Sequence, residues 1–238
     1  MAGHSKWANI KHKKARTDAK KGKIFSRITK EIITAVKMAG SDPKSNQRLK
    51  LILQKARSAN MPADNIDRNI KKATSQDQND YSELSYELYG FGGVGIYCEA
   101  MTDNKNRLSS DMRIVSNKTG ASIAAPGSVA FNFERRGVIY ILKNDLSEDD
   151  LFLLATEAGA IDFDSDEDSY IILTNPQDLH LVCEKLEEHQ LKIEQAELEM
   201  IPNSWIECSE EDKVNNLAIL ERLEELDDVD HLFHNMHV

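Results

Sequence analysis

Residues 138–202 read VIYILKNDLSEDDLFLLATEAGAIDFDSDEDSYIILTNPQDLHLVCEKLEEHQLKIEQAELEMIP, and the alternation within them decides the fold. Val138-Ile139-Tyr140-Ile141-Leu142 is a short apolar run rich in β-formers, so it predicts a strand over 138–143. Helical periodicity then predicts a helix over 147–159, followed by strands at 161–164 and 169–174. A second helix over 176–189 and a strand over 191–201 complete the series. The order β-α-β-β-α-β is the ferredoxin-like arrangement, a sheet covered by two helices.

The flanks show where this unit sits in the chain. Downstream, a helix over 211–226 and a strand over 229–234 cannot bury their apolar faces alone. Upstream, Tyr86, Leu88 and the run Val94–Met101 read as paired strands around a glycine turn. A helix over Asp103–Lys118 and a strand over Ser128–Phe133 follow. The terminal helix and strand complete that half-built unit, which makes the ferredoxin-like segment an insertion in it. Thr74–Asp80 (TSQDQND) is polar and turn-prone, a linker. Before it, Ile24, Ile28, Ile32 and Val36 recur every four residues, with Phe25 and Ile33 widening the stripe up to Gly40. Ser45 or Asn46 caps a second helix carrying Leu49, Ile52, Leu53 and Ala56, and Asn60-Met61-Pro62 breaks into a third with Ile66, Ile70 and Ala73. Three such helices need one another to bury their stripes.

The expected architecture is therefore α+β and multidomain: an N-terminal three-helix bundle, then two ferredoxin-like-type α/β domains, the third domain inserted in the second. The boundaries are 1–23 for a basic arm, 24–76 for the bundle, 77–134 plus 205–238 for the discontinuous domain, and 135–204 for the insertion.

Charge is sorted along this organisation. Residues 1–72 hold 19 Lys and Arg against 5 Asp and Glu, a net of +14, whereas the remainder holds 11 against 35, a net of −24. The cations Lys6, Lys11, Lys13, Lys14, Arg16, Lys20, Lys21, Lys23, Arg27 and Lys30 fall within the first 30 residues. A cationic block of this density repels itself unless a polyanion is near, so it marks a nucleic-acid-binding surface. Trp7, Asn9 and His12 stand among these cations; an aromatic ring stacks on a base, and asparagine reads a base edge. No basic residue lies between Asp145 and Asp168, so the inserted domain should be repelled by the same polyanion.

Other motifs fail on context. Gly90-Phe91-Gly92-Gly93-Val94-Gly95 matches G-x-G-x-x-G, but the strand pattern Ile96–Met101 follows where a dinucleotide site requires a helix. Asp162, Asp164, Asp166 and Asp168 suggest a calcium loop, yet Glu167 and Leu173 occupy the positions that need glycine and a bidentate glutamate. His231, His234 and His237 are too few for a closed metal site without a fourth ligand. No local signature of nucleophilic, P-loop or metallopeptidase chemistry is present, so the expectation is a non-enzyme with no catalytic residues, metal or cofactor. Three widely spaced cysteines point to neither disulfides nor zinc and fit a cytoplasmic location. No apolar run is long enough to span a membrane, so no membrane partner is expected.

The opening Met1-Ala2-Gly3-His4-Ser5-Lys6-Trp7-Ala8-Asn9-Ile10-Lys11-His12-Lys13-Lys14 resembles that of the YebC/PmpR family, which includes the mitochondrial translational activator of cytochrome c oxidase. The likeness continues through Lys20–Phe25, Asn60-Met61-Pro62, Tyr89–Gly93, Asp103–Arg107, Gly127-Ser128-Val129 and His234-Asn235. The resemblance implies a three-domain fold with the third domain inserted in the second. It also implies a DNA-binding transcriptional regulator or a ribosome-associated factor that contacts ribosomal RNA and assists elongation at proline runs. The family commonly has proline where Phe91 stands and glycine where Ala121 stands, so Phe91 is expected to alter an exposed contact surface. For promoter reading, the third helix presents Asn65, Arg68, Asn69, Lys71 and Lys72. For RNA, a cationic arm with one tryptophan suits single-stranded and shape-based contacts. A protein-interaction adaptor docking through the acidic lobes is the third class. Oligomeric state is not legible.

Overall fold

The computed structural model describes residues 21–75, 80–143, 147–165 and 168–237. In chain order its elements open with helices α1 (Lys21–Ala39), α2 (Gln47–Ser58) and α3 (Ala63–Ala73). Strands β1 (Ser82–Tyr89) and β2 (Gly95–Thr102), helix α4 (Lys105–Thr119) and strand β3 (Ser122–Ile123) come next. The inserted segment runs β4 (Phe133–Leu142), α5 (Glu148–Ala158), β5 (Asp162–Ser165), β6 (Ser169–Thr174), α6 (Leu179–Glu188) and β7 (Ile193–Pro202). Helix α7 (Glu210–Glu224) and strand β8 (Val229–His234) close the chain. The protein is thus an α+β multidomain chain, a helical head followed by two sheet-and-helix domains, one inserted in the other.

Contacts gather into two compact units, one drawn from residues up to 78 and 135–199, the other from 79–134 and 200–238. In the first, the sheet order is β5-β6-β4-β7, with β4 and β5 both antiparallel to β6. Strand β6 sits between β4 and β5, the split arrangement expected of β-α-β-β-α-β. Ile139, Ile141 and Ile172 from the sheet meet Leu151, Ala155, Val182 and Leu186 from α5 and α6 in one buried core. Local chemistry sets the helix ends. Ser147 accepts the Asp150 N–H, three acids fill the first turn of α5, and Gly159 ends it at φ 111°.

The second unit is assembled from both sides of the insertion. Its sheet order is β3-β1-β2-β8, so β8 pairs with β2 from more than a hundred residues away. Leu88, Ile96 and Cys98 on one face of the sheet pack against Leu108 and Met112 of α4 and Ile219 and Leu223 of α7. The glycine turn after β1 is pinned by Asn216, fully buried on α7, which accepts the Phe91 N–H and donates to its carbonyl. Phe91 accordingly points inward: its ring lies over Gly120, where an added Cβ would meet it at 3.0 Å. The exposed contact surface expected of Phe91 is therefore not what the structure has, because Asn216 and the core draw the residue in.

A second expectation fails for a long-range reason. Residues 128–133 form no strand of their own; a loop with a single 3-10 turn at Ala130–Asn132 leads into β4, which starts at Phe133. The amides that a strand would have used are taken by Glu87. This 6% exposed carboxylate accepts from Gly127, Val129 and Ala130 at 2.6, 2.6 and 2.8 Å. Burial would raise its pKa, but the three backbone bonds outweigh burial and hold it below the usual carboxylate value. A depressed pKa contributes stability that is present above the ordinary carboxylate range and lost as pH falls through the lowered value. Glu87→Gln should therefore cost about 2–3 kcal/mol at neutral pH, since an amide cannot accept from all three donors. Urea denaturation at pH 7 and at about pH 3 checks this: the gap between variant and parent should shrink at the acid end.

Candidate nucleic-acid interface

The head packs around Ile28, Ile32, Leu49 and Ala56, all fully buried, with Ile66 and Ala73 of α3 closing it. Asn46 joins its first two helices. It caps α2 through the Leu49 N–H and donates to the carbonyls of Ala35 and Gly40 at the end of α1. Asn69 of α3 donates to Thr29 Oγ1 at 2.9 Å, which sets the C-terminal half of α3 beside the N-terminal half of α1.

This packing divides the cations of the head into two sets. Lys50 pairs with Glu184 at 2.8 Å, and Gln54 donates to Glu187, so α2 lies along α6. Lys55 lies between Glu31 of α1 at 2.9 Å and Glu197 of β7 at 3.3 Å. Burial alone would lower the Lys55 pKa, but the two carboxylates outweigh it and hold the amine firmly charged. Leu51 adds an apolar contact to the ferredoxin-like core. These cations face inward, whereas Arg57, Arg68, Lys71 and Lys72 face solvent.

Of the arm residues, Lys6, Trp7, Asn9, Lys11, His12, Lys13, Lys14, Arg16 and Lys20 lie outside the described residues. Lys21 opens α1, and Lys23 and Arg27 are half-buried along it. Lys30 is only 7% exposed, so its ammonium does not face solvent. Of the third-helix residues named from the sequence, Arg68, Lys71 and Lys72 are exposed and Asn65 is half-buried. Arg68, Lys71 and Lys72 are spaced by three and four residues, opposite Ile66 and Ala73. Asn69, a candidate base reader, instead engages Thr29.

Elsewhere the described residues hold no group of three His, Cys, Asp or Glu side chains placed for a metal. The three C-terminal histidines go separate ways. His231 stacks on Phe233, His234 accepts the Met236 N–H, and His237 meets Glu207 at 3.1 Å. Burial pushes the Cys183 thiol up to about 12 and raises Cys208 as well, which leaves both poor nucleophiles. No helix among the described residues is long and apolar enough to cross a membrane.

Two family models account for nearly all of the chain. Residues 5–76 match the TACO1/YebC protein N-terminal domain, and residues 81–236 match the TACO1/YebC second and third domain. The chain belongs to the TACO1/YebC family. A relative from Protochlamydia amoebophila, named "probable transcriptional regulatory protein", is 60% identical over 238 residues, covering 100% of this chain and 97% of the relative. A Chlamydia trachomatis protein of the same description is 53% identical over 237 residues, covering 99% and 100%. The crystal structure of a conserved hypothetical protein from Aquifex aeolicus superposes with a TM-score of 0.88 at 40% identity, covering 97% of this chain and 96% of that one. The TACO1/YebC fold is thus shared by a solved relative over almost its whole length.

Within this family member, Lys55→Met should cost about 2–4 kcal/mol in urea denaturation, because it leaves Glu31 and Glu197 facing each other across a buried gap. Adding Glu197→Gln should recover part of the loss. Equal stability in Lys55→Met and the parent would show that the ion pair does not hold α2 to β7.

Proposed function

We propose that this chain is a non-enzymatic nucleic-acid-binding regulator of gene expression, acting on DNA as a transcriptional regulator. The observation that carries this reading is the set of exposed cations on the head, Arg57, Arg68, Lys71 and Lys72, distinct from Lys50 and Lys55, which pair with acids inside the fold, taken with the basic run of residues 1–23 in the sequence. Lys and Arg clustered on one surface gain most from a polyanion, because each phosphate contact releases a condensed counterion. The names of the relatives support the transcriptional step. The reading includes a cytoplasmic location and no cofactor.

A second reading is favoured by one specific observation. With Asn69 turned to Thr29, α3 retains few free base-reading groups, which weakens operator recognition through that helix. A ribosome-associated factor that contacts ribosomal RNA by shape and phosphate needs no such helix. A protein adaptor would need neither arm nor outward cations.

Salt-dependent binding of the full chain to a labelled DNA duplex and to an RNA hairpin tests the common core of these readings. If about five to eight cations neutralise phosphates, log K against log salt should slope at roughly −4 to −7. A flat response on both probes would contradict nucleic-acid binding and leave the adaptor. Tighter, sequence-dependent binding to duplex DNA supports the transcriptional step, and preference for the hairpin supports the ribosomal one.

A further inference from the structure

Charge within the second unit is also sorted. Between Tyr81 and Glu134 there are four Lys and Arg against six Asp and Glu, and all four cations lie on α4. Beyond Met200 the balance is two against ten. Those two, Lys213 and Arg222 of α7, each face an acid, Glu210 at 3.0 Å and Glu225 at 3.9 Å. Helix α4 treats its cations differently. Arg107 is fully engaged, bound to Asp103 at 2.8 Å and to Asp228 at 2.7 Å, with Thr102 donating to the same Asp228 carboxylate. It anchors the start of α4 to the residue just before β8. The other three, Lys105, Arg113 and Lys118, are exposed and make no ion pair among the described residues.

The outward side of this helix also carries the neutral hydrogen-bonding groups Asn106, Ser110 and Asn117, together with the exposed Ile114 and the half-buried Asp111. Asn106, Ser110, Arg113 and Asn117 recur at four-, three- and four-residue intervals, opposite the buried Leu108, Met112 and Val115. At 1.5 Å per residue the stripe from Asn106 to Asn117 spans about 16 Å, enough to follow several successive phosphates. The helix N-terminus is already satisfied, since Asn104 accepts the N–H groups of Asn106 and Arg107, so the surface is the side of the helix and not its end. The neighbouring α7 exposes Glu211, Glu221 and Glu225, which confines any polyanion to α4. Unpaired cations alternating with amides match a strand that presents both phosphates and hydrogen-bonding edges; an acidic protein patch would leave the amides without purpose.

We propose that the outer face of α4 is a second nucleic-acid contact, with Lys105, Arg113 and Lys118 meeting phosphates and Asn106 and Asn117 meeting sugar or base edges. This rests on the nucleic-acid reading above and adds to it a contact outside the head. Rigid anchoring through Arg107 presents the stripe at little ordering cost.

Fluorescence anisotropy of the full chain with a labelled 20-base-pair duplex and a 20-nucleotide RNA hairpin, from about 50 to 300 mM salt, tests it. In the variant Lys105→Ala/Arg113→Ala/Lys118→Ala the slope of log K against log salt should become shallower by about 2 to 3 on the preferred probe. The charge-conserving variant Lys105→Arg/Arg113→Lys/Lys118→Arg should keep the parental slope, and circular dichroism should show all variants folded. An unchanged slope in the alanine variant, with Lys13→Ala/Lys14→Ala weakening binding, would overturn the α4 contact while leaving the arm reading intact. Failure of the parent to bind either probe would overturn both. Polyglutamate competing as well as nucleic acid would also overturn it, showing a general anion surface.

Discussion

Lys55 is the interaction on which the arrangement of the first unit depends. One ammonium, mostly withdrawn from solvent, is shared between a carboxylate of α1 and a carboxylate of β7. It ties the first helix of the head, through the second, to the last strand of the ferredoxin-like sheet. Desolvating three charges is costly, and the pair attraction roughly offsets that cost only while all three are present. The consequence is geometric. With Lys50 and Lys55 turned toward α6 and β7, Arg57 of α2 and the α3 cations Arg68, Lys71 and Lys72 remain exposed.

The same rule, that a buried charge must be met by oppositely disposed groups, shapes the second unit. Glu87 gathers three amides of the 127–130 loop, and Asp228 gathers Arg107 and Thr102 at the start of α4. In each case a buried acid is satisfied by groups drawn from distant parts of the chain. The charges of the fold therefore separate into groups that hold it together and groups left exposed at its surface.

Much of the architecture was legible from periodicity. The four-residue recurrence from Ile24 to Val36 predicted a stripe, and Ile28, Ile32 and Ile33 are indeed among the most buried residues. The β-α-β-β-α-β alternation predicted the split order β5-β6-β4-β7 of the inserted sheet, because strand and helix periods differ plainly. What was not legible depends on distant partners. The 128–133 segment reads as a strand until Glu87, some forty residues earlier, claims its amides. Nothing local distinguishes Lys50 and Lys55 from Arg68 and Lys72, since Glu184 of α6 and Glu197 of β7 lie more than a hundred residues on, and Glu31 of α1 lies 24 residues before Lys55. His231 and His234 share β8, where a three-residue spacing sends them to opposite faces, and His237 lies beyond that strand.

The central claim is that outward cations, and not the acidic insertion, meet a nucleic acid. Ultraviolet crosslinking in cells, followed by identification of both the crosslinked peptides and the attached nucleic acid, tests it most directly. Crosslinked peptides should come from residues 1–30, α3 and α4, and none from 145–168. Crosslinks concentrated in 145–168, or none above background in the head, would contradict the account.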